Sequence, residues 1–305
     1  MLTYMPKKLI KNARGLSDKA IAWIFVTPTI LLLLAINIYP LFYAISMSFT
    51  NFYANKIGKE IKWVGLKNYI KVLGKESVWE RMQITANFMF WTLLIQALIG
   101  LGLALLLNKK FKGNELLTTL IVLPMMLSPA VVGTFWTYLY NPQVGVFSYI
   151  MNFFYNFGPI DMIGSSVLAP WSIVIVDTWM WTPFTMLICL AGLRSIPDYL
   201  YEAAEVDRAS RWQQFIYITL RSVLPFLLLA LLFRGIENFK MFDMVVELTS
   251  GGPGSATELA SIQLKREAFE KWKTGYSSAY AVILFVTIFG FGNVYVKVMN
   301  KIKDR

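Results

Sequence analysis

The chain has 305 residues, 56% of them hydrophobic and 15% charged, with a mean hydropathy of +0.53; a soluble domain carries about a quarter charged residues, so a polytopic membrane protein is expected. With no histidine and a single cysteine, Cys189, an intrachain disulfide and any histidine-based metal centre or proton relay are excluded. The formal net charge of +11 reads, in such a chain, as contact with anionic lipid headgroups rather than with nucleic acid.

The apolar runs are continuous and near 20 residues long, without the alternation of a membrane β-barrel, and predict an all-α protein. The first, residues 20–49, follows Lys7, Lys8, Lys11, Arg14 and Lys19. It is too long for the apolar centre of a cleaved signal peptide and reads as a retained span. Residues 51–84 are polar and mixed in charge, with turn residues Gly58, Gly65 and Gly74, and are too short for a core of their own. Further spans are predicted at 85–107, 116–139, 167–193, 223–246 and 276–299, six in all. The connections are 108–115, 140–166, 194–222 and 247–275. No internal repeat or linker marks a second unit, so residues 1–305 read as one transmembrane domain.

An even number of spans puts both termini on one side, and loop charge says which. Lys109, Lys110 and Lys112 lie in the second connection, and Arg194, Arg208, Arg211 and Arg221 in the fourth, whereas 140–166 has neither residue type. These three loops predict cytoplasmic termini. Lys56, Lys59, Lys62, Lys67, Lys71, Lys75 and Arg81 in 51–84 argue the other way, but they face an equally basic amino terminus, so the local contrast is small.

Between the fourth and fifth spans runs Glu202-Ala203-Ala204-Glu205-Val206-Asp207-Arg208-Ala209-Ser210-Arg211-Trp212-Gln213-Gln214-Phe215, a charged, helix-prone segment that gains nothing from lipid. Its alanines permit close approach of another backbone. Glu205 with Arg208 and Asp207 with Arg211 are spaced to pair along a helix, and Trp212, Phe215 and Ile216 form an apolar stripe. From periodicity alone, an amphipathic connector on the membrane surface is an equal alternative. With Pro197 before it and Leu220 after it, the segment resembles the EAA loop of ABC-importer permeases, in the sugar-type, maltose-permease-like branch. Two positions depart from that pattern: Arg208 stands where the family has glycine, and Arg221 where it favours proline.

Two further stretches carry the resemblance. Asn238 to Pro253, with Thr249 and Gly251-Gly252-Pro253, is similar to the outer end of span five in these permeases; Gly251 to Gly254 is not a nucleotide loop, since no lysine followed by serine or threonine comes after it. Trp63-Val64-Gly65-Leu66-Lys67-Asn68-Tyr69 resembles a motif that follows their first span. Ionisable groups inside spans are costly unless paired or lining water. Glu237 and Lys240 are three apart, so mutual pairing and a pathway-facing role stand as equal alternatives for them. Asp177 beside Trp179 and Trp181 suits a sugar, by hydrogen bonding and ring stacking, but interfacial tryptophans have the same composition.

The resemblance implies a six-span type I ABC-importer permease fold in a bacterial plasma (inner) membrane. It implies an importer of a sugar, polyol or glycoside, with Glu202, Ala203, Ala204, Asp207, Arg208 and Ala209 in the helix that couples to the ATPase. Candidate pathway residues are Asp177, Trp179, Trp181, Asn238, Lys240 and Asp243. The chain itself has no phosphate loop and no nucleophile–base pair, so it is expected to catalyse nothing. The implied partners are a second, different permease subunit, two ATPase subunits holding ATP and Mg, and an external solute-binding protein. An ion-gradient-driven secondary transporter or channel is the alternative, favoured by carboxylates deep in several spans, of which this chain has few. A membrane-anchored assembly factor would not need the polar groups of span five.

Overall fold

The computed structural model describes residues 17–56, 58, 60–109, 111–155 and 160–303. Lys7, Lys8, Lys11, Arg14, Lys59 and Lys110, used above for orientation, lie outside them. The described residues are helical apart from loops and one antiparallel bridge, Thr50 to Trp63.

Helix α1 (Asp18–Ser48) starts at Ser17, whose hydroxyl accepts the Ala20 N–H at 3.3 Å. It is exposed along most of its length and packs on α13 (Thr274–Lys303). The Trp63–Tyr69 motif clamps its far end. Trp63 stacks on Phe49 with ring centroids 5.0 Å apart. Asn68 Nδ2, on α2 (Lys67–Leu73), donates to the Ser48 and Thr50 carbonyls at 2.8 Å, and the Tyr69 and Ser48 hydroxyls meet at 2.7 Å.

Helix α3 (Glu76–Leu107) begins nine residues before the expected second span. Its polar first turns stay helical because they have tertiary partners: Val78 is buried, and the Thr85 hydroxyl accepts the Ala260 N–H of α12 (Ala260–Lys265) at 2.9 Å. The expected third span is broken into α4 (Asn114–Val122), a 3₁₀ turn at Leu123–Met126, and α5 (Pro129–Leu139), bent by 99°. Pro124 and Pro129 supply the break, since neither has an N–H and each disfavours helix before it. Five helices are thus long and apolar enough to cross a membrane, or six if the bent pair counts as one span. The 140–166 connection contains α6 (Val146–Tyr155).

Helix α7 (Ala169–Arg194) is the centre of the bundle, with sixteen buried residues. It packs along α3, where Gly100 permits the close crossing: a Cβ there would lie 2.9 Å from Thr185. Beyond α8 (Tyr199–Val206) and α9 (Arg211–Gln214), a π-helical stretch, Phe215–Leu220, leads directly into α10 (Arg221–Phe239). The expected fifth span ends at Phe239 rather than at 246; α11 (Asp243–Thr249) is a separate helix packed on α5, where a Cβ on Gly133 would meet the Met244 carbonyl at 2.7 Å. The Gly-Gly-Pro stretch therefore closes α11, with Ser250 (φ 51) and Gly251 (φ 85) in the left-handed region.

Two apolar cores stack along α7. One joins Val132, Ile173, Met180, Met244 and Leu259; the other, at the end carrying α8, joins Ala104, Met186, Cys189, Leu193 and Val223.

Candidate functional site

The α8 segment is anchored on one face and open on the other. Leu200 and Tyr201 pack against the core below, and the Tyr201 and Thr219 hydroxyls meet at 2.9 Å, tying α8 to the π-helical stretch. Glu202, Ala203, Glu205, Asp207 and Arg208 are exposed, Ala204 and Ala209 half-buried. Val206 is 83% exposed and Trp212 68%, so the open face is apolar as well as charged.

Arg208 takes the left-handed conformation itself, with φ 58, so the turn that the family makes with glycine forms here with arginine. The Ala209 N–H reaches back to the Ala204 carbonyl at 2.8 Å, and that of Arg208 to Glu205 at 3.0 Å, satisfying the end of α8. Ser210 then caps α9 in a box with Gln213. This turn splits the segment into two helices. The spacing of Glu205 from Arg208 and of Asp207 from Arg211 no longer places them on one face, and neither pair forms an ion pair among the described residues. At Arg221 the helix runs on unbroken from Arg211 to Phe239, so the loop enters its span without a bend.

The second site lies inside the bundle, where α3, α7 and α10 meet. Asp177 is fully buried and faces Arg234, itself 1% exposed. Arg234 Nη2 donates to the two Asp177 oxygens at 3.1 and 3.2 Å and to Asn238 Oδ1; Nε donates to Gln96 Oε1 at 3.3 Å. Gln96 Nε2 donates to Asp177 Oδ2 at 2.8 Å, and Asn238 Nδ2 to Thr92 Oγ1 at 2.6 Å. The Trp181 ring lies 4.4 Å from the guanidinium carbon. In an apolar surrounding each charge is tolerable only because the other, and the amides, satisfy it.

Asp177, Trp181 and Asn238 are thus brought together. Trp179 is one helical face away, half-exposed, with its ring edge-on to Trp136 at 5.5 Å. Lys240 and Asp243 lie apart from the cluster: Lys240 pairs with Glu237 at 2.9 Å on an exposed surface, and Asp243 is exposed in the first turn of α11. The cluster's Arg234 and Gln96 were not among the sequence candidates. The signal for both was available, since each is a strongly polar residue in the middle of an apolar run. On α7 the Trp181 indole nitrogen and the Thr178 and Thr185 hydroxyls, and at the end of α5 the Trp136 indole nitrogen and the Tyr140 hydroxyl, are buried with no hydrogen-bond partner among the described residues.

Residues 96–304 match the family described as binding-protein-dependent transport system inner membrane component. The chain is 36% identical over 239 residues to the trehalose/maltose transport system permease protein MalF of Thermococcus litoralis, covering 78% of this chain and 80% of that protein. It is 28% identical over 292 residues to the trehalose transport system permease protein SugA of Mycobacterium tuberculosis, covering 95% and 92%. Among solved structures, a chain of a bacterial ABC transporter involved in the import of the acidic polysaccharide alginate superposes with a TM-score of 0.80 at 20% identity, over 97% of this chain and 99% of that one.

Proposed function

The chain belongs to the family of binding-protein-dependent transport system inner membrane components, and on that premise we propose that it is the permease subunit of an ATP-driven importer of a sugar, polyol or glycoside. The observation that carries this reading is α8: an exposed helix bearing Glu202, Ala203 and Val206, fixed by Tyr201 to a helix that continues unbroken into the bundle. A rigid helix of that kind transmits a push at its exposed end to α10. An ATPase that binds ATP more tightly in one arrangement of α8 shifts the whole bundle between outward- and inward-open states. The sugar class rests on the relatives, whose names specify trehalose and maltose.

In this reading the partners are a second, different permease subunit, two ATPase subunits that supply ATP and Mg, and an external solute-binding protein, assembled in the bacterial inner membrane. The chain contributes no catalytic group. Asp177, Arg234 and Asn238, buried in this subunit's own bundle, hold α3, α7 and α10 in the arrangement that shapes this side of the pathway, rather than touching the solute themselves. Trp179, Lys240 and Asp243 belong to the approach rather than to the cluster.

The test is Glu202→Lys in the assembled transporter in proteoliposomes. Assembly and membrane abundance are expected to persist while solute uptake and binding-protein-stimulated ATP hydrolysis are lost together. Uptake at the unaltered rate would remove the coupling role.

A further inference from the structure

At the end opposite α8, the segment before α2 is pinned against the start of α13. The Ala54 N–H donates to the Trp272 carbonyl at 3.2 Å and the Gly275 N–H to the Phe52 carbonyl at 2.9 Å. Between them is a cavity lined by Tyr53, Asn68, Lys71, Lys75, Lys273 and Tyr276. Its charge is only partly compensated. Lys75 and Lys273 share one carboxylate, Glu267, with Lys271, at 3.1, 3.0 and 2.9 Å. Lys71 is exposed and makes no ion pair or hydrogen bond among the described residues. The Lys75 and Lys273 ammonium groups stand 5.7 and 5.8 Å from the centre of the Tyr276 ring, whose hydroxyl is buried without a partner.

We propose that this cavity binds a phosphate group, and that the phosphate is the headgroup of an anionic phospholipid. The Lys71 ammonium and the Tyr276 phenol are donors without acceptors, and Lys75 and Lys273 share their single carboxylate with Lys271, so the cluster keeps a net positive charge; a phosphate diester offers acceptors and a negative charge. The location selects lipid. The cavity sits where α1 and α13 leave their apolar runs, and α1 has the least buried apolar stretch of the five candidate spans. Lysines and tyrosines at that level are placed to meet headgroups while acyl chains lie along α1. The site is independent of the transport reading and needs only that α1 and α13 span the membrane.

The test uses the full chain in nanodiscs and follows acylation of Lys71 by an amine-reactive reagent, read by mass spectrometry, with exposed Lys62 as internal reference. Adding a minority of phosphatidylglycerol to phosphatidylcholine is expected to slow Lys71 about tenfold, the size of one charge-assisted contact, and to leave Lys62 unchanged. Tyr276→Phe, which keeps the ring packing, is expected to weaken that protection several-fold. Equal protection by inorganic phosphate in phosphatidylcholine supports the phosphate site but assigns it to a soluble anion. Protection by neither, equal slowing at Lys62, or protection that requires the solute-binding protein instead of lipid would overturn the proposal.

Discussion

Arg234 on α10 meets Asp177 on α7 through one nitrogen, Nη2, at 3.1 and 3.2 Å from the two carboxylate oxygens, while its Nε turns to Gln96 on α3. One guanidinium thereby joins three spans in the interior of the bundle. Breaking such a pair by removing one partner leaves a buried charge and costs roughly 3–5 kcal/mol, whereas replacing both by apolar groups is often neutral. Arg234→Leu is therefore expected to lower membrane abundance sharply, and Arg234→Leu with Asp177→Leu to restore much of it. If the ion pair also takes part in the bundle's switching, the double variant assembles but transports poorly. Abundance and uptake measured on the same membranes separate the two roles, and recovery of both together would leave the cluster a purely structural clamp.

Arg208 holds a left-handed turn that costs a residue with a Cβ about 1–2 kcal/mol. Glycine avoids that cost but loses more backbone freedom on folding. Arg208→Gly is thus expected to raise stability by up to about 1 kcal/mol and to leave coupled uptake intact. Arg208→Val, a β-branched residue poorly suited to this conformation, is expected to destabilise the α8–α9 turn and reduce uptake. Thermal unfolding and ATP-dependent uptake of the two variants check this. Loss of uptake with glycine would mean that the arginine side chain itself contacts the ATPase.

Much of the fold was legible because continuous apolar composition marks a span directly: α1 and α13 begin within two residues of their expected starts. Hydropathy ran straight through Pro124 and Pro129, so the break between α4 and α5 was hidden, although both prolines were visible. The early start of α3 was not legible at all, since Glu76 to Ile84 reads as polar loop until α12 is packed beside it. The resemblance to an EAA loop was carried by residues 197–220, yet the division of this segment into two helices rests on the bond from Ala209 to Ala204, which side-chain spacing does not reveal. Arg234 was missed although Glu237, Lys240 and Asp243 of the same run were singled out, because its partner Asp177 is 57 residues away and sequence spacing does not show that pairing.

Loop charge left the orientation contested, and the structure offers two exposed probes that avoid strained positions: Glu60 and Glu205. With buried Cys189 changed to Ser, Glu60→Cys is expected to react with an impermeant thiol reagent on intact cells. Glu205→Cys is expected to react only after permeabilisation. The reverse pattern would put α8 outside and remove its docking to an ATPase.

Glu267 sets the pH dependence of the end opposite α8. Burial alone would raise its carboxyl pKa, but hydrogen bonds from Lys271, Lys273 and Lys75 outweigh burial and hold it down at about 2, against an ordinary value of 4.5. A carboxyl whose folded pKa lies below its unfolded one stabilises the fold fully above about 4.5, and that stabilisation is lost as pH falls from 4.5 towards 2. Glu267→Gln removes the charge and leaves three lysines facing one another. The variant is expected to be less stable than the parent at pH 7, and the gap between them to narrow through this window. Hydrogen exchange of residues 258–280 in the two proteins at pH 7, 5 and 3, corrected for the intrinsic exchange rate, reads the effect locally. A gap that stays constant from pH 7 to pH 3 would show that the carboxylate's ion pairs contribute nothing to holding the turn after α12 against Lys75 at the start of α3 and Lys273 just before α13.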